Sequence, residues 1–330
     1  MPKIVWIGNG NNKKSYDLNS LESTMKTGGQ GHVYFPKSNI CIKVLSEPDE
    51  FTDQLSAIGK VLFNSSRPYE QVKTVSAIPV ELVWDEGVKR VIGYVMERLD
   101  DWINLSDIQT ETDSESLGIN LRSAGLILAS LSRAIRLIHS QGFVVGDFNP
   151  SNILFKQEKD QFFVKVIDVD SWSIYRKDDL GIEYASKVLD IGTIYYPDII
   201  QADREKKPWP NFRPDHDWWA FSYISWMILT KFDPFMTGRI SGVSREDRIL
   251  NGYTANSAAA VKLHPEYGPA AQALGPKLRF YLDRSLKRKV RRPFPTKVLE
   301  DFASNLRLCT KCNLTSHISA VMCPKCANFL

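Results

Sequence analysis

GFVVGDFNPSNILF (residues 142–155) and, shortly after it, VIDVDSW (166–172) decide how this chain is read. Asp147 and Asn152 stand five positions apart in a loop punctuated by glycine and proline, and an apolar strand follows them. Asp168 then closes a second apolar strand. Oxygen-bearing side chains at such strand ends suit a hard cation such as Mg2+ and the phosphate it accompanies. Any one of them could simply cap a turn. Three at these spacings point instead to phosphoryl chemistry, with Asp147 placed to orient a hydroxyl and accept its proton.

Upstream, KTGGQGHVYF (26–35) precedes the apolar strand NICIKVL (39–45). Gly28, Gly29 and Gly31 let the backbone approach a phosphate and present unhindered N–H donors, although such a run alone is more often a turn. Lys43 sits in the middle of that strand. A buried ammonium is costly without an anionic partner. Glu50 or Asp53 in the next segment, or nucleotide phosphates, would supply one; an edge-strand lysine reaching water is the plain alternative.

The remaining composition is that of a globular protein: 330 residues, 43% hydrophobic and 24% charged, enough for two or three domains. The net charge of +4 does not imply nucleic acid. The basic run 277–297, KLRFYLDRSLKRKVRRPFPTK, reads first as a solvated helix face and second as a site for an anionic partner. No apolar stretch is long enough to cross a membrane. The N-terminus lacks a signal-peptide pattern, so a cytoplasmic location is expected.

Residues 1–98 read as short β-branched or aromatic strands, interrupted by one helix over 49–63 with Phe51, Leu55, Ile58 and Leu62 at three- and four-residue spacing. After residue 100 the pattern turns helical. Residues 121–140 form an amphipathic helix stopped at Gly142, and 217–230 are apolar nearly all round, as a central helix would be. The expected architecture is α+β and bilobal: a β-rich N-lobe over 1–98, a helical C-lobe over 99–305, and a C-terminal module over 306–330.

That module carries Cys309, Cys312, Cys323 and Cys326 as two CxxC pairs, with ten residues between them. In a reducing compartment four such thiolates read as a structural Zn2+ site. His317 is a spare ligand or, more simply, a loop histidine. So short a module would take most of its folding free energy from the metal, and docking a protein is its expected use. Cys41 reads as a small buried apolar residue.

From about residue 22 to 305 the chain resembles the protein-kinase superfamily in motif order. KTGGQGHV resembles the Gly-rich loop, with Lys26 at its first glycine; CIKVL resembles the VAIK strand; VMERL resembles the hinge; HSQGFVVGDFNPSN resembles the HRD loop, and DVD the DFG motif. The resemblance implies ATP and Mg2+ (or Mn2+) as cofactors. It makes Lys43 the α/β-phosphate ligand, Asp53 its partner on the helix, and Asp147 the catalytic base. Asn152 and Asp168 would hold the metal. Met96 would be the gatekeeper, with the backbone of Glu97 and Leu99 meeting the adenine and Val33, Cys41 and Leu154 sandwiching it. GTIYYPD would end an activation segment, with Asp198 paired to Arg292 and Asp217 opening the central helix.

More narrowly, GDFNPSN, DVDSW and HDWWAF resemble a bacterial Ser/Thr kinase group. Members of that group operate beside a metal-dependent phosphatase and a von Willebrand A-type partner. Three positions depart from the wider pattern. Gly146 replaces the arginine that grips a phosphorylated loop, Asn149 replaces the catalytic-loop lysine, and Asp170 replaces the glycine of DFG, as an extra metal-side carboxylate or a local turn residue. Ser171, Ser173, Tyr184 and Thr193 are candidate autophosphorylation sites.

The leading reading is therefore a Ser/Thr protein kinase acting on a protein substrate. One rival is a small-molecule kinase of the aminoglycoside or choline type, whose GD…N loop and ID-x-D strand look alike; the GTIYYPD, Asp217 and Arg292 set argues against it. Another is a pseudokinase scaffold acting through the ribbon.

Overall fold

The computed structural model describes residues 4–7, 13–25, 31–36, 39–46, 48–64, 69–85, 87, 90–175, 196–257, 262–287 and 292–330. Strands β1 (Ile4–Ile7), β2 (Lys14–Asp17), β3 (Glu22–Met25), β4 (Gly31–Phe35), β5 (Ile40–Leu45), β6 (Glu81–Asp85) and β7 (Arg90–Glu97) form one antiparallel sheet of order β2-β1-β6-β7-β5-β4-β3. The hairpin β1–β2 precedes the stretch that resembles a kinase, and it joins the sheet through β1 against β6.

Side-chain alternation along β5 sends Ile42 and Val44 to one face, where they pack with Val5, Ile7, Val83, Ile92 and Val95. Leu45 packs on the other face with Leu55, Val91 and Tyr94. Val83 pairs with Gly93 but Trp84 with Val91, so Ile92 is an extra residue. This bulge is why Val91 and Tyr94, three apart, share a face. Helix α1 (Pro48–Asn64) covers that face and matches the expected period.

The short α2 (Glu70–Lys73) lies between α1 and β6, and beyond β7 come β8 (Ile103–Asn104), α3 (Glu111–Ser116) and α4 (Leu121–Ser140). Asn120 caps α4 by accepting from the Ser123 N–H, 3.0 Å. Ala124, Ile127, Leu128, Leu131, Ile135 and Ile138 bury one face of α4, and Gly142 at φ 90° ends the run in a left-handed turn. Helix α5 (Pro197–Arg204) precedes α6 (Pro214–Thr230), which is buried on every side through Trp218, Trp219, Phe221, Ile224, Trp226 and Ile228. Its polar residues bond inward along the helix: Ser222 Oγ donates to Trp218 O (2.9 Å) and Thr230 Oγ1 to Trp226 O (2.7 Å). Helices α7 (Arg245–Asn251), α8 (Tyr267–Ala273), α9 (Gly275–Lys287) and α10 (Thr296–Ser304) surround it.

Between the two parts lie β9 (Phe143–Val144), β10 (Ile153–Glu158), β11 (Gln161–Val166) and β12 (Ser173–Ile174). The pairs β10–β11 and β9–β12 frame the loops that carry Asp147 and Asp168. At the C-terminus β13 (Leu306–Leu308) pairs with β14 (Thr315–His317). The expected α+β, bilobal, protein-kinase-like fold is what forms. Among the described residues no helix is long and apolar enough to cross a membrane.

Gly93 leaves no room for a side chain against β5: an added Cβ would lie 2.0 Å from the Lys43 carbonyl oxygen. Gly93→Ala is expected to force the two strands apart and cost about 3 kcal/mol of stability, at the upper end of overpacking penalties. Urea unfolding of the variant against wild type measures it.

Candidate phosphotransfer site

The loop 145–152 is held from beneath by one carboxylate. Asp217 is wholly buried in the first turn of α6. It accepts from the backbone N–H of Val145 (Oδ2, 2.9 Å) and Gly146 (Oδ1, 3.0 Å), and its Oδ2 meets His139 Nε2 at 2.8 Å. From the other side, the Tyr196 hydroxyl donates to Gly146 O, 2.7 Å. Gly146 sits at φ 75°, a left-handed conformation that a side chain in its place would strain. Burial, followed by the charges of Asp217 and Asp147, pushes the Tyr196 phenol well up, so it stays a donor.

Asp147 emerges from this clamp with its carboxylate between two amides. Asn149 Nδ2 donates to Oδ1 (2.9 Å) and Asn152 Nδ2 to Oδ2 (3.1 Å). Asn149 also caps the following 3-10 turn, accepting from Ser151 N (3.0 Å) and Asn152 N (3.2 Å). The residue noted in the sequence only as a missing lysine thus steadies both Asp147 and the turn bearing Asn152. Asn152 directs its NH2 to Asp147, to the backbone oxygen as well as the carboxylate, at 3.2 and 3.1 Å.

Ile167 N donates to Asn152 O (2.9 Å), which brings the start of the DVD segment alongside the loop. Asp168, at φ 67° and ψ 49°, turns there and keeps about a quarter of its side chain exposed. Lys43 crosses from β5 to meet it. Lys43 also binds both oxygens of Asp170, at 2.8 and 3.0 Å, and the Tyr94 hydroxyl donates to Asp170 Oδ1, 2.7 Å. Burial alone would lower the Lys43 pKa, but the Asp170 and Asp168 charges outweigh it and hold the ammonium above the ordinary lysine value. Burial and the Asp168 charge push the Asp170 carboxyl up, against the pull of Lys43 and Tyr94.

Lys43, Asp147, Asn152 and Asp168 therefore come together. The expected Lys43–Asp53 pair does not form, since Asp53 is exposed on the outer side of α1. Asp170 takes that partnership; it is fully buried and so is not a solvent-facing turn residue. A buried acid beside a strand lysine was the available signal, and a loop residue was not expected to supply it. The pair Asp198–Arg292 is likewise replaced. Asp198 meets His216 Nε2 at 2.7 Å and Arg213 at 3.6 Å, because both project from the start of α6, while Arg292 lies exposed and without an ion pair among the described residues.

Ser171 and Ser173 are 4% and 1% exposed, which removes them as accessible phosphorylation sites in this conformation. Tyr184, Thr193, Lys26, Gly28 and Gly29 lie outside the described residues, as does the side chain of Glu50. Gly31 opens β4, where a Cβ would meet Val44 O at 2.3 Å. Val33 and Cys41 stand on β4 and β5, and Leu154 on β10. Met96 and Glu97 end β7 opposite Cys41 and Ile40, with Leu99 two residues on. The Glu97 side chain is drawn away to Lys165 of β11.

In the C-terminal module the four cysteine sulfurs lie within 4.8 Å of one another. Two matching turns create this: Asn313 N donates to Cys309 O and Ala327 N to Cys323 O, each at 2.9 Å, with Asn313 and Ala327 both at positive φ. Burial opposes a Cys309 thiolate, but the N–H groups of Cys312 and Lys311 draw its pKa down to about 6. Those of Cys326 and Lys325 lower Cys323 in the same sense. Four sulfurs at this spacing fit tetrahedral Zn2+. His317 stands apart, with Nδ1 bonded to Ser319 and its ring stacked on Phe302.

With this geometry in view, the comparisons agree on class. A family profile described as "Lipopolysaccharide kinase (Kdo/WaaP) family" matches residues 69–174. "Calcium-dependent protein kinase 8" of Arabidopsis thaliana is 24% identical over 126 residues, 38% of this chain and 21% of that protein. The match spans only about a fifth of the relative's length. Among solved structures, a rhoptry kinase from Toxoplasma gondii superposes with a TM-score of 0.59 at 14% identity, covering 92% of this chain and 83% of the other. The Cydia pomonella Granulovirus kinase, PK-1, gives 0.55 at 17%, covering 84% and 91%. The fold is that of the protein kinases, and the family match supports a place in the kinase superfamily and kinase-type phosphotransfer in general.

The Asp217 clamp has a measurable cost if broken. Asp217→Asn leaves one acceptor oxygen for three donors and turns an NH2 toward an N–H. A loss of about 2–4 kcal/mol is expected from the orphaned buried groups, read by chemical denaturation.

Proposed function

We propose that this chain is an ATP- and Mg2+-dependent kinase that phosphorylates Ser/Thr hydroxyls of a protein. The observation that carries the phosphotransfer reading is that three segments bring these four side chains into two linked pairs: Lys43 with Asp168, and Asp147 with Asn152, joined by the Ile167 N–H on Asn152 O. Asp168 and the amide oxygen of Asn152 suit a hard cation. When bound, Mg2+ neutralises charge on the phosphates. Lys43 adds its own positive charge there. Asp147, fixed by Asn149 and Asn152, orients the acceptor hydroxyl and receives its proton. Positioning and electrostatics do most of the catalytic work in such sites.

A protein acceptor is favoured by the ground laid beside Asp147. Tyr196 anchors under Gly146, and Asp198 is fastened to His216 and Arg213, so the chain from 196 onward forms a braced floor next to the loop. The contrary observation is the lipopolysaccharide-kinase profile, which keeps a sugar or other small acceptor as the second reading. A catalytically silent scaffold is the third outcome. For the ribbon we propose a structural Zn2+ and a protein-docking role, with the chain divided at 98 and 305, and a cytoplasmic setting. The phosphatase and von Willebrand A-type partners also stand as proposals on resemblance alone.

Transfer of labelled phosphate from ATP with Mg2+ or Mn2+, to a basic protein and to a panel of sugars and amino-alcohols, tests the acceptor. Protein labelling by wild type is expected, with Asp147→Asn losing at least about a hundredfold in rate while still binding ATP. Asp168→Asn is expected to lose metal-dependent nucleotide binding as well. Label on a small molecule would favour the second reading; ATP binding with no transfer would favour the scaffold.

The ribbon makes its own prediction. Treatment with a strong chelator is expected to release one Zn2+ per chain and open residues 306–330 to protease, while residues 121–140 keep their amide protection. Metal analysis and hydrogen exchange read the two effects.

A further inference from the structure

Asp170 is fully buried two residues past Asp168, where the kinase pattern has glycine. Both its oxygens accept from Lys43, and the Tyr94 hydroxyl fills the remaining side of Oδ1. Lys43 and Tyr94 are paired residues on β5 and β7, so the sheet presents the ammonium and the hydroxyl together to one carboxylate. Helix α1 offers this loop a neutral residue: Gln54, wholly buried, donates through Nε2 to Trp172 O at 3.0 Å. Among the α1 side chains the structure describes, the acid Asp53 is exposed.

The geometry points to Asp170 as the positioning residue that holds Lys43 against the nucleotide phosphates, in place of an acid on helix α1. This deepens the reading of Lys43 as a phosphate ligand and rests on it. Two carboxylates share the ammonium, but they are not equivalent. Asp168 is partly exposed at the cleft and is the one a cation would engage; Asp170 is sealed under the sheet. When Asp168 turns to a metal, Asp170 keeps Lys43 extended. The anchor thus comes from the same loop as the metal ligand, and a displacement of α1 would leave Lys43 where it is.

Asp170→Asn keeps the shape and removes the charge; Asp53→Asn is the control. Calorimetric titration with ATP and with adenosine, each with and without Mg2+, separates the roles, because adenosine has no phosphate for Lys43 to meet. For Asp170→Asn we expect ATP to bind about tenfold more weakly whether or not Mg2+ is present, the loss of one charge-assisted contact. Adenosine should bind unchanged, and Asp53→Asn should match wild type for both ligands. An equal loss for adenosine would make Asp170 merely structural. A loss confined to Mg2+ would make it a metal ligand, and a loss in Asp53→Asn would return the anchor to the helix; each overturns the assignment.

Thermal unfolding of Lys43→Met, Asp170→Asn and the double variant gives a reading that needs no nucleotide. The double variant is expected to melt above Asp170→Asn alone, because it no longer buries an ammonium without its main partner. Simple additivity would overturn the pairing. A wild type that binds neither ligand would sink the kinase reading and the positioning role together. A wild type and an Asp170→Asn variant that bind ATP equally well would sink the positioning role alone.

Discussion

A carboxylate sealed from water must be surrounded by donors, and Asp217 is surrounded by the backbone of the loop that carries Asp147. Asp217 stands at the start of α6, a helix that is apolar because it is buried nearly all round. A helix buried on every side is immobile, so its first turn is a fixed point from which to suspend a loop. His139, bonded to the same carboxylate, ties in the end of α4. Asp147 thus takes its place from two packed helices. Within the Gly/Pro-punctuated loop, the Asn149 and Asn152 amides complete the hold on its carboxylate.

Above that fixed point the site gathers more negative charge than positive. Asp147, Asp168 and Asp170 converge with Lys43 as the one nearby ammonium among the described residues. Such an excess is unfavourable unless a cation shares it, which is the electrostatic basis for expecting Mg2+ there. The two acids touching Lys43 divide this burden by depth. The deep one is enclosed by Lys43 and Tyr94, and the shallow one meets Lys43 while keeping part of its side chain exposed.

The sequence was most legible where local chemistry and tertiary role coincide. The helix over 121–140 and its stop at Gly142 follow from local pattern, and the structure forms the helix over those residues, with Asn120 added as its cap. Asp147, Asn152 and Asp168 were readable because their spacing follows from two strands and a turn. The partnerships were less legible. Which acid meets Lys43 depends on how α1 and the DVD loop approach the sheet, and the Lys43–Tyr94 pairing depends on the register between β5 and β7, which no local motif carries. The same holds for Asp198, whose partners project from a neighbouring helix start eighteen and fifteen residues on, not from the distant Arg292.

The C-terminal ribbon shows how a module with almost no core can still have a defined place. Its thiolates give it internal shape, but its orientation comes from the helical part. Gly275, at φ 70°, carries no side chain where the His317 ring packs, and an added Cβ would lie 2.9 Å from that ring. The ring in turn lies flat on Phe302 of α10, at an interplanar angle of 6°, and Lys325 reaches Glu266 before α8 at 3.1 Å. Aromatic stacking and a close backbone approach resist rotation better than an exposed ion pair, whose worth is small. The C-terminal module is therefore seated on α8–α10 chiefly by His317, which metal-ligand spacing alone reads as a spare ligand or a loop histidine.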